Sequence, residues 1–171
     1  LSACFGGAEA PSGAGADSLS AEQQSRLLEL KLLPTTRNAL QQNALIDHAI
    51  NQGYNVSADD AGFFYEVLDE GEYVNFQPED IVTADYEVYY LDGTLVDKSK
   101  AGKPLRFTVG YLIEAWNLAI PYARPGGSIR VLTPSRLAYG EQGLVSPRGD
   151  TIIGANRPLE FVIKNLELLE E

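Results

Sequence analysis

From about Gly62 onward, apolar and polar residues alternate with a period of two, the spacing of half-buried strands; before that point the apolar residues recur at helical spacing. Phe63, Tyr65 and Val67 alternate with Phe64, Glu66 and Leu68. Val82, Ala84, Tyr86, Val88 and Tyr90 alternate with Thr83, Asp85, Glu87 and Tyr89, which predicts a strand with one face inward. Asp92-Gly93 follows directly as a tight-turn signal. Leu105, Phe107 and Val109 predict a third strand broken by Gly110, and the stretch from Leu112 to about Tyr122 has room for one short helix. After a turn at Pro125-Gly126-Gly127, Ile129 and Val131 predict a fourth strand; Leu159, Phe161 and Ile163 line one face of the last. Residues 138–157, rich in Gly and polar side chains, read as a long irregular loop, and loops of that length are usually functional or mobile. Successive antiparallel strands with one short helix predict an α+β domain whose curved sheet wraps the helix and buries Trp116.

Upstream, Ser20-Ala-Glu-Gln23 fits a capping box, Leu27, Leu28, Leu30 and Leu32 follow, and Pro34 is read as the stop of that helix. Thr36 caps a second helix running to about Asn51, with Gly53 as its stop and Leu40, Ala44, Ile46, Ala49 and Ile50 as its apolar side. Helices of this size are marginal alone, so they are expected to pack on the domain or on a partner copy. Residues 1–17, dominated by Gly, Ala, Ser and Pro, read as a flexible tether. The expected organisation is therefore a tether at 1–17, a two-helix extension at 18–61 and the main domain at 62–171.

Composition narrows the chemistry. Among 171 residues there are one Trp, one Cys and one His, so neither a metal site nor a cofactor is expected, and covalent catalysis has almost nothing to work with. His48, inside the second predicted helix with no other His or Cys near it, reads as a surface or packing residue. A formal net charge of −11 repels phosphate backbones and anionic bilayers, which excludes nucleic acid as a partner and membrane binding through charge. No apolar run approaches the ~20 residues of a spanning helix. The chain contains no Met, so an N-terminal segment is expected to have been lost through processing or truncation. Leu1-Ser2-Ala3-Cys4 resembles the end of a bacterial lipoprotein signal, with Cys4 as the acylated residue; two acyl chains would anchor the protein stably to a bilayer. Two segments, Leu112-Ile113-Glu114-Ala115-Trp116 and Leu137-Ala138-Tyr139-Gly140, instead supply the material of a dry apolar pocket with a few polar groups.

Taken together, Tyr86, Leu91-Asp-Gly-Thr-Leu-Val-Asp97-Lys-Ser99, Lys103-Pro-Leu-Arg-Phe107, Leu112 to Trp116, Pro125-Gly-Gly127, Leu137 to Gly140 and Leu159-Glu-Phe161 resemble an FKBP-type peptidyl-prolyl isomerase domain in motif order and spacing, over about residues 62–171. The segment from Ala44 to Gly71 also resembles the helical lead-in of envelope-anchored bacterial members. The resemblance implies a pocket floored by Trp116 and walled by Tyr86 and Phe161, with Tyr139 from the long loop and Asp97 beside it. It further implies that Ile113 offers its backbone N–H to the ligand carbonyl, and that Val96, Leu105, Phe107, Leu112 and Ile153 contact the substrate. The implied function is isomerisation of X–Pro bonds in client polypeptides, without metal or organic cofactor, in a bacterial envelope lipoprotein of the periplasm or outer membrane. A macrolide ligand and a homodimer through the N-terminal helices are compatible with it. The chain departs from the family at identifiable points. Val96 and Leu105 stand where Phe is usual, the segment before Leu112 is short, the loop from Glu141 to Ile153 is long, and Gly154-Ala155 replaces Pro-Pro. These departures imply modest turnover and leave a second reading, a catalytically weak domain acting as a peptide-binding chaperone or scaffold.

Overall fold

The computed structural model describes residues 18–169; the tether and Cys4 lie outside the described residues. Two helices come first, α1 (Ala21–Glu29) and α2 (Arg37–Gln52). Nine strands follow: β1 (Ser57–Ala58), β2 (Phe64–Asp69), β3 (Ile81–Tyr90), β4 (Leu95–Lys98), β5 (Leu105–Thr108), β6 (Ser128–Thr133), β7 (Leu144–Val145), β8 (Thr151–Ile153) and β9 (Leu159–Leu168). Helix α3 (Glu114–Ala119) sits between β5 and β6 and tightens into a 3₁₀ turn at Ile120–Tyr122. The main sheet is antiparallel in the order β1-β2-β6-β9-β3-β4, with β5 also on β3. The first half of β3 (Ile81 to Ala84) pairs with β5 and the second half (Glu87 to Tyr89) with β4, so two short strands share one edge of a long one.

The pattern of burial explains the strand sequences. β3 is half-buried, and its inward set Val82, Ala84, Tyr86, Val88 and Tyr90 packs into or against the main core. Strand β6 and the first half of β9, Leu159 to Ile163, are covered on both faces. Ile129, Val131, Leu159, Phe161 and Ile163 enter the core around α3, whereas Leu132 joins Phe64 in a second cluster with Leu27, Leu45, Ile46, Ala49 and Val56. The N-terminal helices thus dock on the outer face of the sheet, against β2 and β6, and this burial stabilises helices that are marginal in isolation.

Both helix starts follow the sequence. Ser20 and Gln23 form the capping box, and Thr36 Oγ1 accepts the Ala39 N–H at 3.1 Å. Gly53 ends α2 in the left-handed region at φ 73°. Three expectations are corrected. Helix α1 stops at Glu29, well before Pro34, because side chains of α2 take over its following backbone. Asn43 pairs with both the N–H and the C=O of Leu32 at 2.8 Å, and Gln42 donates to the Leu30 carbonyl at 2.8 Å. Leu40, placed on the apolar side of α2, is 56% exposed; the buried face instead runs through Gln41, Leu45, Ile46 and Ala49. Residues 138–157 are not wholly irregular, since they contain the β7–β8 hairpin. Gly143 permits its closure: φ is +65°, and a Cβ there would lie 2.3 Å from the Ile153 carbonyl oxygen. His48 is packed, 3.2 Å from Glu160 and edge-on to Tyr54.

Candidate functional site

Trp116 lies on α3 facing the sheet and is 4% exposed. Three aromatic rings meet its indole near-perpendicularly: Tyr86 of β3 at 5.8 Å, Phe107 of β5 at 5.5 Å and Phe161 of β9 at 5.7 Å between centroids. Each edge-to-face pair is worth about 0.5–1.5 kcal/mol beyond area burial, so the indole plane is held from three strands at once. Above it opens a cavity of about 90 Å³ lined by Tyr86, Val88, Asp97, Leu105, Leu112, Ile113, Trp116, Tyr139 and Phe161. The split edge of β3 delivers Asp97 from β4 and Leu105 from β5 to the same opening.

Eight of the residues singled out in the sequence share this lining. The others do not. Phe107 and Ile153 are core residues, 6% and 1% exposed; Phe107 braces the indole and contributes no wall. Val96 is half-buried against the core, its side chain alternating away from that of Asp97 along β4. Val88 lines the cavity and was missed, although it stands two residues from Tyr86 on the inward set of β3; the period-two pattern was signal enough.

The polar groups are few and oriented. The Tyr86 hydroxyl donates to Asp97 Oδ2 at 3.0 Å, and Asp97 Oδ1 accepts the Lys98 N–H at 2.9 Å. Burial, and then this bond to a carboxylate, push the Tyr86 hydroxyl up from its ordinary value of 10.0 to about 12. Burial, together with the charge of Asp97, also raises that of Tyr139. Both phenols therefore remain neutral donors at physiological pH, beside the Asp97 carboxyl group. Ile113 occupies the N-cap position of α3; its carbonyl accepts the Trp116 and Asn117 amides, while its own N–H has no partner among the described residues. The Asn117 side chain closes a ring with both backbone groups of Leu112, at 2.9 Å each, which holds the Leu112-Ile113 peptide in place. The indole Nε1–H is likewise buried without a partner among the described residues. Among those residues no group of three or more His, Cys, Asp or Glu side chains is placed to hold a metal ion.

The pocket is apolar and aromatic, with one carboxyl group, two phenols and a backbone amide without a partner among the described residues. The chain belongs to the FKBP-type peptidyl-prolyl cis-trans isomerase family, whose model matches residues 72–166. It is 33% identical over 149 residues to a probable FKBP-type peptidyl-prolyl cis-trans isomerase FkpA of Neisseria meningitidis serogroup B, covering 86% of this chain and 52% of that protein. It is 35% identical to the outer membrane protein MIP of Legionella longbeachae, covering 60% of this chain and 42% of the relative. The chain thus spans about half the length of the curated relatives it matches. The fold is also that of the crystal structure of FkpA from Escherichia coli, with a TM-score of 0.62 over 88% of this chain and 62% of the other.

Proposed function

We propose that the protein accelerates cis–trans isomerisation of X–Pro bonds in polypeptide clients. Rotation about such a bond takes tens to hundreds of seconds unaided, because it breaks amide resonance against a barrier of about 18–20 kcal/mol. The planar amide is the more dipolar form, and water favours it. Enclosure above Trp116 removes that solvation and penalises the planar state more than the twisted one, the differential effect that catalysis requires. Trp116, Tyr86, Phe161, Leu105, Leu112 and Val88 supply the apolar enclosure, with the Ile113 side chain beside them. The Ile113 N–H anchors a substrate carbonyl, Tyr139 donates to another, and Asp97 acts electrostatically near the rotating amide. The observation that carries this reading is the convergence of Tyr86, Asp97, Trp116, Tyr139 and Phe161 on one small opening. A protease-coupled or NMR-exchange assay on a short proline peptide tests it. Wild type should exceed the uncatalysed rate, Asp97→Ala should lose about tenfold in kcat/KM (about 1.4 kcal/mol), and a wild-type rate equal to buffer overturns the proposal.

The reading extends to location and partners. A bacterial cell envelope, periplasmic or at the outer membrane, with Cys4 as a lipid-bearing residue, is supported by the Leu1-Ser2-Ala3-Cys4 pattern and by a relative named as an outer membrane protein. Among the described residues no helix is long and apolar enough to cross a membrane. Leu28, Leu32, Leu33 and Leu40 stand exposed on and between the N-terminal helices, a patch suited to a second copy or to unfolded clients, and so to a chaperone role. The division into residues 18–61 and 62–171 follows the same proposal. A macrolide ligand is the remaining element, and only the pocket's aromatic walls support it.

A further inference from the structure

We infer that Gln41, on the outer helix α2, is a positioning residue for Tyr139 in the pocket on the opposite side of the sheet, an inference that rests on the pocket being the site of isomerisation. Gln41 is a polar side chain on a helix face that is otherwise Ala39, Leu45, Ile46 and Ala49, and it is only 8% exposed. A buried primary amide is tolerated where its hydrogen bonds are made. Its Oε1 accepts both the N–H of Ser135 at 2.8 Å and the Oγ–H of Ser135 at 3.0 Å. Its Nε2 donates to the carbonyl of Asn156 at 3.0 Å. One side chain therefore grips both ends of the segment that carries Tyr139.

From those two ends the grip passes to the pocket through backbone bonds. The Ser135 carbonyl accepts the N–H groups of Ala138 at 3.0 Å and Gly140 at 2.8 Å, the residues on either side of Tyr139. The Gly140 carbonyl accepts the Asn156 N–H at 2.7 Å, which closes a loop from Gln41 through Ser135, Gly140 and Asn156 back to Gln41. The Tyr139 carbonyl holds Gly143 at 3.0 Å. The Tyr139 side chain leaves this framework and lines the cavity together with Asp97. One helical turn before Gln41, Arg37 also reaches the segment, pairing with Glu141 at 3.2 Å, but that pair is exposed and exposed pairs hold little. The buried amide is the effective clamp. In place of the paired prolines usual in this arm, the chain has Gly154-Ala155, so order that rigid residues would supply elsewhere is supplied here by hydrogen bonds from α2 and by the Tyr90 hydroxyl, which accepts the Gly154 N–H at 2.9 Å.

The test is a double-mutant cycle between Gln41→Leu and Tyr139→Phe in the full chain, read by kcat/KM on a proline peptide, with backbone amide exchange measured on each variant. Gln41→Leu should lower kcat/KM about fivefold in the wild-type background and have little effect in the Tyr139→Phe background, because the clamp acts through the phenol. A purely structural role would give the same fold-loss in both backgrounds, and that result overturns the inference. Exchange at Ala138, Gly140 and Asn156 should rise at least about tenfold while β3 and β9 amides stay protected; unchanged exchange at those three sites overturns it as well. Gln41→Glu keeps the acceptor for Ser135 and loses the donor to Asn156, so it decides the matter if Gln41→Leu does not fold: faster exchange at Asn156 supports the clamp and unaltered exchange refutes it. A wild type without isomerase activity would sink the functional reading, while the exchange data would still judge Gln41.

Discussion

Two helices close the two faces of the same sheet by different physics. On the inner face α3 meets β3, β5 and β9 through rings and aliphatic groups, and the contacts around Trp116 are edge-to-face. On the outer face α2 combines an apolar seam with a polar layer: Gln41 on Ser135 and Asn156, His48 on Glu160, and Arg130 stacked 3.6 Å over the Tyr54 ring while bonded to Glu66. Apolar contacts are non-directional, so the inner face can leave a hollow, with the Trp116 Nε1–H and the Ile113 N–H as the polar groups there that lack a partner among the described residues. Hydrogen bonds are directional and costly to leave unmade, so the outer face is sealed and specifies where the attached loop must lie. On the proposed function the hollow receives the substrate, and on the inference from Gln41 the sealed side holds one of its walls.

The strongest way to break this comparison is Trp116→Ala, which should destabilise the protein by about 3–5 kcal/mol in denaturant titration, through cavity formation and the loss of three ring contacts, and abolish catalysis. Leu45→Ala, fully buried under the outer helices, should cost about 2–5 kcal/mol. If the helices and sheet form one cooperative unit, that loss shifts a single transition followed by both far-UV circular dichroism and Trp116 fluorescence; two separated transitions would show that the outer layer melts independently. Tyr86→Phe sharpens the comparison through pH. The Tyr86 hydroxyl titrates higher folded (about 12) than its ordinary 10.0. Its contribution is therefore fully present below about pH 10 and is lost as pH rises toward 12. Wild type should lose more stability than Tyr86→Phe across that window, measured by denaturation at each pH. Smallest of all, Arg37→Ala should change stability by under about 0.5 kcal/mol, since its partner Glu141 is exposed.

Strand β3 shows how far local pattern reaches. Its alternation places Tyr86 inward and places Val88 there too, and both line the cavity. Ser20, Gln23, Thr36 and Gly53 marked helix ends because capping is settled within four residues. Phe107 and Ile153 show the limit: the resemblance implies that both contact the substrate, yet one braces the indole and the other is sealed in the core. Position along the chain cannot separate a wall from the layer behind it. Strand β4 (four residues long) and the β7–β8 hairpin are not legible in the sequence, because strands so short carry almost no period.

What the sequence determined alone was the order of the longer strands and helices, the helix caps and the aromatic stock of the pocket, all properties of residue type and near-neighbour spacing. Tertiary structure decided which apolar side chains face the opening, that Leu40 turns outward while Gln41 turns in, and that α2 reaches the Tyr139 loop. Those outcomes rest on contacts between residues about a hundred positions apart, and such pairings are selected by packing and by the satisfaction of buried polar groups across the whole fold.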